Sequence, residues 1–274
     1  MTRTVGKFGL RLPAPGHRWK FKFSDYIDLT QLPPIPPGAF GHMDKVTLPW
    51  DIYMNDVLGC CVVSGAQHET RLWVAEGTGS DTVVFTDRAT VMNYQHLGNY
   101  QPGNPDSDQG CDMLTAAQLR IRDGIVDAKG NVHKLGIALE LDCGPGYLNL
   151  DQFWYANFLF DGLGLGILVT PEMQNDFQLG QPWDAADFNP NNVVGGHYVP
   201  AMAREVDTLH GTTRFEADTV SWGEVQPITV SGLQVVTTTV MCYATQEKLN
   251  NGKDLNGLSW SDMRSDINKV VNHW

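Results

Sequence analysis

The sequence predicts an α+β fold, with a helix-rich N-terminal lobe packed on a strand-rich, barrel-like C-terminal lobe behind an extended N-terminal arm. Three observations predict it. Before about residue 130, apolar residues recur at helical spacing. After it, they gather into short β-rich runs separated by Gly, Asn, Asp and Pro. Residues 1 to about 45 show neither pattern. Helices followed by strands, without alternation, argue against a parallel βαβ sheet. The expected divisions are an arm over 1–45, a helical lobe over 46–130 and a β-rich lobe over 131–274 ending in a helix.

The arm comes first. It opens with Arg3, Lys7, Arg11, Arg18, Lys20 and Lys22, and no acid appears before Asp25. No continuous apolar segment follows these basic residues, so the stretch does not read as a secretory signal and the chain is expected in the cytoplasm. "TQLPPIPPGAF" follows, with prolines from Pro33 to Pro37 broken by Ile35. Proline fixes φ and withholds donors, which favours an extended polyproline II run. Such a segment serves either as a strap on its own body or as a docking arm for a protein partner.

In the helical half, "CVVSGAQHETRLWVAE" places apolar residues at 62, 63, 66, 73 and 74. "DMLTAAQLRIRDG" puts Leu114, Ala117 and Ile121 on one face and ends in Asp123-Gly124. "NLDQFWYANFLFDG" offers Asp151 as a cap and Gly162 as a stop. The expected strands are "KLGIALEL", "LGILVT", "GGHYVPAMAREV", "RFEADTVSW" and "SGLQVVTTTVMCYAT". A closing helix is expected in "LNGLSWSDMRSDINKVVNHW", where Ile267, Val270 and Val271 share a face. "GLGLG" at 162–166 reads as a helix-to-strand connector. A dinucleotide loop needs the opposite order, strand then helix.

Composition excludes some functions. A net charge of −12, with no basic stripe carrying interleaved aromatics, argues against nucleic acid as a partner. No apolar run is long enough to span a bilayer, so no membrane role is expected. The cysteines stand at 60, 61, 111, 143 and 242, an odd count that argues against a disulfide framework. No C-x-x-C or H-E-x-x-H occurs, so neither a metal nor another cofactor is expected.

"NDVLGCCVVSGAQHE" at 55–69 raises the question of chemistry. Buried free cysteines usually only pack. A thiol nucleophile needs a base, something to aim the base, and donors for an oxyanion. Cys61 stands where a helical stripe begins, and a helix N-terminus favours thiolate. Far off in sequence, "VVGGHYVPAM" sets His197 in a strand-like run after Gly195 and Gly196, which would let another chain approach the imidazole. "VSWGE" follows at 220–224.

"LGCCVV", "GGHYV" and "VSWG", in that order, resemble the papain-like cysteine peptidases, and "DQGCDMLTAAQLRIRDGI" resembles a fourth piece of that pattern. The match is closest to divergent bacterial and phage-encoded members with an Asn-Asp-x-x-Gly-x-Cys opening. The resemblance implies Cys61 as nucleophile, His197 as base and Asn55 as oxyanion donor, with Cys60 packing. It implies that Gly110 and Cys111 form a wall of the substrate cleft. Gly195, Gly196 and Trp222 would lie at the same cleft, Trp222 shielding the histidine. Two positions depart from the pattern. The orienting asparagine falls on Val220, so Asp218, two residues earlier on the same strand face, is the expected substitute. The usual disulfide would need a cysteine at Leu58, which leaves Cys111 without that partner. His68, His96 and His133 are expected to be packed or solvated.

Two functions follow from the resemblance. One is a thiol hydrolase, a peptidase or amidase acting on a peptide or protein substrate. The other is a catalytically weak or inactive papain-like domain that serves as a structural or docking component, for example of a phage particle. In that case the chain would be virion-associated and its arm would lie along a neighbour.

Overall fold

The computed structural model describes residues 2–245 apart from Pro15, Pro33, Pro145, His210 and Gly211, so the closing helix expected over 255–274 lies outside the described residues. The N-terminal stretch carries only short elements: β1 (Leu10–Arg11), α1 (Phe23–Tyr26) and β2 (Phe40–Gly41). Next come α2 (Cys61–Thr78), α3 (Asp87–Gly98), β3 (Cys111–Asp112) and α4 (Met113–Arg122). The second half runs β4 (Ile125–Val126), β5 (Val132–His133), β6 (Leu135–Glu140), β7 (Cys143–Gly144), β8 (Tyr147–Leu148), α5 (Leu150–Phe160), β9 (Leu163–Val169) and α6 (Pro171–Leu179). It closes with β10 (Gly195–Leu209), β11 (Thr212–Ser221), β12 (Glu224–Thr229), α7 (Val230–Val236) and β13 (Thr237–Thr245). This is the α+β class expected from the sequence.

The helix α2 is buried on every side from Cys61 to Ala75, not along one stripe. Its charged residues are therefore paired: Arg71 with Asp81 at 2.7 Å, and Glu69 with Arg120 at 2.8 Å. It ends at Gly79 in the left-handed conformation, φ 72°. The side chain of Asp112 caps α4, and that of Asn149 caps α5 by accepting from the Gln152 amide. Asn149, not Asp151, is thus the cap. Asp151 sits in the first turn, where its charge favours the helix dipole.

The main sheet has strand order β12-β11-β10-β9-β13-β6, antiparallel throughout, with β2 added on β10. One core cluster gathers α5 and α6 residues such as Phe153, Phe160 and Phe177 with Leu163, Leu165, Val199 and Trp183. A second lies around α2 and α4 and includes Cys61, Trp73, Met113, Tyr198 and Tyr243.

Two sequence expectations change. "GLGLG" is not a connector, because β9 begins at Leu163 and runs through the centre of the sheet. Its glycines serve close packing: a Cβ on Gly164 would stand 2.0 Å from the Tyr198 hydroxyl oxygen. "SGLQVVTTTVMCYAT" is half helix. The Thr229 side chain caps α7 through the Gly232 amide, and the chain extends only from Thr237. A local cap here overrides the β propensity of the valines.

The described residues of 2–45 make contacts with the protein's own body. Trp19 Nε1 donates to the Ala138 carbonyl at 2.8 Å, and Lys22 pairs with Glu140. Arg204 on β10 donates to the carbonyls of Pro36 and Gly38 and lies 4.3 Å from the centre of the Phe40 ring. His42 is gripped by two carboxylates, with Nδ1 2.8 Å from Asp161 Oδ1 and 3.0 Å from Glu76 Oε1. No helix among the described residues is long and apolar enough to cross a membrane.

The His42 grip sets a pH dependence. Hydrogen bonds to Asp161 and Glu76 raise its pKa from 6.5 to about 10. A group whose folded pKa is raised contributes stability fully below its unfolded value and loses it as pH rises through its folded value. Urea midpoints of the intact chain should therefore fall between pH 7 and 10 more steeply than those of His42→Gln. Parallel pH profiles for the two proteins would show that the clasp adds nothing.

Candidate active site

Cys61 opens α2, so the first-turn amides of a long helix lie beneath its sulfur. The backbone amides of Tyr198 and Gly9 also point at the thiol and pull its pKa down, but burial prevails and raises it to about 11. Tyr198 directly follows His197 on β10, so the amide joining those two residues faces the sulfur. Cys60, the residue before the helix, is fully buried and directs its thiol to the Tyr53 carbonyl at 3.5 Å. All five cysteines are free thiols.

His197 pairs in register with Ile167 of β9 and is buried. Its Nε2 is hydrogen-bonded to Ser221 Oγ at 2.9 Å, while Nδ1 has no hydrogen-bond partner among the described residues. The ring stacks on Trp222 with centroids 4.5 Å apart, and Phe8 meets it edge-on at 6.0 Å. Burial lowers the imidazole pKa to about 3. No hydrogen bond joins the Cys61 sulfur to the ring among the described residues, and both groups are neutral in this closed arrangement.

Asn55 is set by a strained turn in which Tyr53 and Met54 both adopt positive φ, 49° and 60°. Its Nδ2 donates to the Leu58 carbonyl and to the Lys7 carbonyl, each at 3.0 Å. In return, the Lys7 amide donates to the Asn55 carbonyl at 2.6 Å.

Lys7 belongs to the N-terminal arm, which runs through the site. Its β1 pairs in parallel with β3, Leu10 opposite Cys111 and Arg11 opposite Asp112, and the Cys111 amide donates to the Gly9 carbonyl at 2.8 Å. The approach requires glycine on both sides. A Cβ on Gly9 would stand 1.7 Å from the Gly59 carbonyl oxygen, and one on Gly110 would stand 2.0 Å from that of Gly9. Gly195 accommodates the Phe8 ring, and Gly196 the Leu10 carbonyl. Gly6 packs on Trp222, where a Cβ would lie 2.3 Å from Cδ1. Residues 6 to 11 thus touch Asn55, Cys61, Gly110, Cys111, Gly195, Gly196, His197 and Trp222.

Asp218 is not part of this group, which corrects the expectation for the orienting residue. It lies opposite Ala203 and Pro227, where burial and the nearby Glu205 and Glu216 raise its pKa to about 6. Strand alternation gives the reason. Val220 packs with Leu72 of α2, so positions 218 and 220 share that face, and Ser221 turns to the histidine's side. The hydroxyl in "VSWG" was the available signal, one position further along. The arm's occupancy had a signal as well, in the two glycines of "GKFGL".

The other histidines have structural partners. His68 is buried, its Nε2 2.7 Å from the Asp51 carbonyl, and His96 and His133 pair with Asp123 and Asp127. His42, Glu76 and Asp161 form the one three-residue set with metal-ligand chemistry among the described residues, and their carboxylates already hold the imidazole.

Solved structures similar to this chain include xylellain, a cysteine protease from Xylella fastidiosa, with TM-score 0.56 and 12% identity over 89% of this chain and 97% of that one. Procathepsin B S9 from Trypanosoma congolense gives TM-score 0.58 and 9% identity over 88% and 86% of the two chains. Digestive procathepsin L 3 of the Tenebrio molitor larval midgut gives 0.55 and 13% over 89% and 76%. No protein-family model and no curated protein matches the sequence. The likeness is one of structure, and the chain has the papain-like α+β fold of these cysteine proteases.

Proposed function

We propose that this chain is a papain-like thiol hydrolase, a peptidase or amidase, held latent by its own N-terminal residues. One observation carries the reading. The arm's backbone takes the contacts that a substrate backbone would need, with the Lys7 carbonyl on the Asn55 amide and the Gly9 carbonyl on the Cys111 amide. It also turns the Gly9 amide to the Cys61 sulfur. Two of the similar structures are, by name, the proenzymes procathepsin B and procathepsin L.

With the arm displaced, water reaches both groups and the burial that keeps them neutral is relieved. His197, its Nε2–H directed to Ser221 Oγ, takes the Cys61 proton on Nδ1. The thiolate attacks the substrate carbonyl carbon, and the oxyanion takes hydrogen bonds from Asn55 Nδ2 and the Cys61 amide. The imidazolium returns its proton to the departing amine as the C–N bond breaks. Water, deprotonated by His197, then cleaves the thioester. The substrate would be a peptide or protein.

A second reading is a non-catalytic papain-like domain, such as a structural component of a phage particle, with its arm available to a neighbour. It is favoured by Val220 at the expected orienting position and by the missing Cys61–His197 hydrogen bond.

Gly9→Ala separates the readings, because the added methyl cannot fit against Gly59. The intact chain should alkylate at Cys61 only as pH approaches about 11, while Gly9→Ala should react near neutral pH. Adding His197→Ala to Gly9→Ala should return the reaction to ordinary thiol pH. If Gly9→Ala alkylates like the intact chain although its arm amides exchange freely, the second reading leads.

Substitutions in the Gly9→Ala chain should also sort the roles. Cys61→Ala should abolish peptide hydrolysis with little change in stability. His197→Ala should lower turnover by a factor on the order of 10²–10⁴, and Ser221→Ala by less. Cys60→Ala should keep reactivity but cost about 1 kcal/mol of stability, measured by urea unfolding.

A further inference from the structure

Beyond Gly6 the arm ends in a contact that the proposed chemistry does not need. The guanidinium of Arg3 lies over the Phe177 ring, 5.5 Å from its centre, and Nη1 donates to Gln226 Oε1 at 3.2 Å. Arg3 Nε is 4.0 Å from Glu224 Oε2 at the rim. Gly180, the left-handed C-cap of α6 with φ 68°, flanks the guanidinium, whose carbon lies 3.6 Å from where its Cβ would stand. The floor is built, not incidental. Phe177 and Gln226 are both fully buried, and Gln226 Nε2 donates to the carbonyls of Gln181 and Pro227, which leaves Oε1 aimed at the cation. Phe177 also meets Trp222 edge-on at 4.8 Å, and Trp222 stacks on His197. The seat is therefore joined to the candidate active site through two aromatic rings.

The surroundings suit a cation. Glu224 supplies the negative charge at the rim, 4.0 Å from Arg3 Nε. A flat guanidinium suits an aromatic face and a fixed carbonyl acceptor better than a compact ammonium does.

We propose that Phe177, Gly180, Gln226 and Glu224 form an arginine-recognising subsite, filled by Arg3 in the latent chain and by an arginine of the peptide substrate once the arm leaves. This rests on the thiol-hydrolase reading and deepens it. The substrate class becomes arginine-containing peptides whose arginine lies on the Trp222 side of the Cys61 sulfur.

Binding tests the subsite apart from catalysis. The full-length chain carrying Gly9→Ala and Cys61→Ala is titrated calorimetrically with a peptide of the sequence of residues 2–12, and with versions carrying Lys or Ala in place of Arg3. The arginine peptide should bind at least about tenfold more tightly than either. Adding Gln226→Leu should remove the difference. Equal affinities would overturn the subsite. Should the Gly9→Ala chain fold poorly, hydrogen exchange at the Cys111 amide of the otherwise intact chain gives the same answer. Arg3→Lys and Arg3→Ala should both accelerate it, and exchange as slow in Arg3→Lys as in the intact chain would overturn the proposal. Peptide cleavage by the chain with Cys61 retained is read separately. Arginine-selective binding without cleavage keeps the subsite and ends the hydrolase reading. Cleavage indifferent to arginine does the reverse.

Discussion

The docking of α2 against β10 is the contact on which the rest of the site depends. Tyr198 donates its hydroxyl to Glu69 at 2.5 Å, and Glu69 pairs with Arg120 of α4 at 2.8 Å, all three buried. Buried charges of this kind need full compensation, because loss of one partner strands the other at a cost of about 3–5 kcal/mol. Arg120 completes the group by lying 4.9 Å from the centre of the Tyr243 ring on β13. Gly65 lets the Tyr198 ring sink against the helix, since a Cβ there would come within 2.4 Å of it. The consequence reaches the candidate site directly. Tyr198 is the neighbour of His197, and Gly65 lies one turn beyond Cys61, so one buried contact fixes the helix start and the histidine strand relative to each other.

The arm is held at separate points by different physics. Ring packing and a hydrogen bond hold Trp19, charge holds Lys22 and His42, and strand pairing holds Phe40 and Gly41. Residues 3 to 11 are held by backbone hydrogen bonds, by Leu10 buried in the core cluster around α2 and α4, and by Arg3 at the far end. Glycines at 6, 9, 59 and 110 keep this segment close to the wall. The same closeness accounts for the electrostatics of the pair, since exclusion of water raises the thiol pKa and lowers that of the imidazole.

Much of the fold was legible because local signals and tertiary demands agree. The helices containing Cys61, Leu114 and Phe153 formed where their spacing placed them, and most β-rich runs became strands. Disagreement arose where a local device outweighed propensity, as with the Thr229 cap that turned Val230–Val236 into helix. Helices over Asp87–Gly98 and Pro171–Leu179 went unread, although Thr86 and Thr170 cap them through their side chains. Cys61, His197 and Asn55 were readable as motif residues, and the structure gathers all three around the arm. Ser221 offered only the hydroxyl in "VSWG", because the side of a strand that faces the histidine depends on register, and register is a property of the pair of strands. The arm's place was hidden for a related reason. The glycines of "GKFGL" mark a close approach, but a basic, proline-rich stretch does not say which surface it approaches.

The parallel pairing of Leu10 and Arg11 with Cys111 and Asp112 joins two parts of one chain. The arm is therefore a tethered ligand, and its occupancy of the cleft is unimolecular. Diluting the protein leaves that occupancy unchanged, whereas any free peptide competing for the same backbone donors faces an effective arm concentration of about millimolar. Access to Cys61 is then a question of local opening frequency, set by the few contacts of residues 3 to 11 while Trp19, Lys22 and His42 stay anchored.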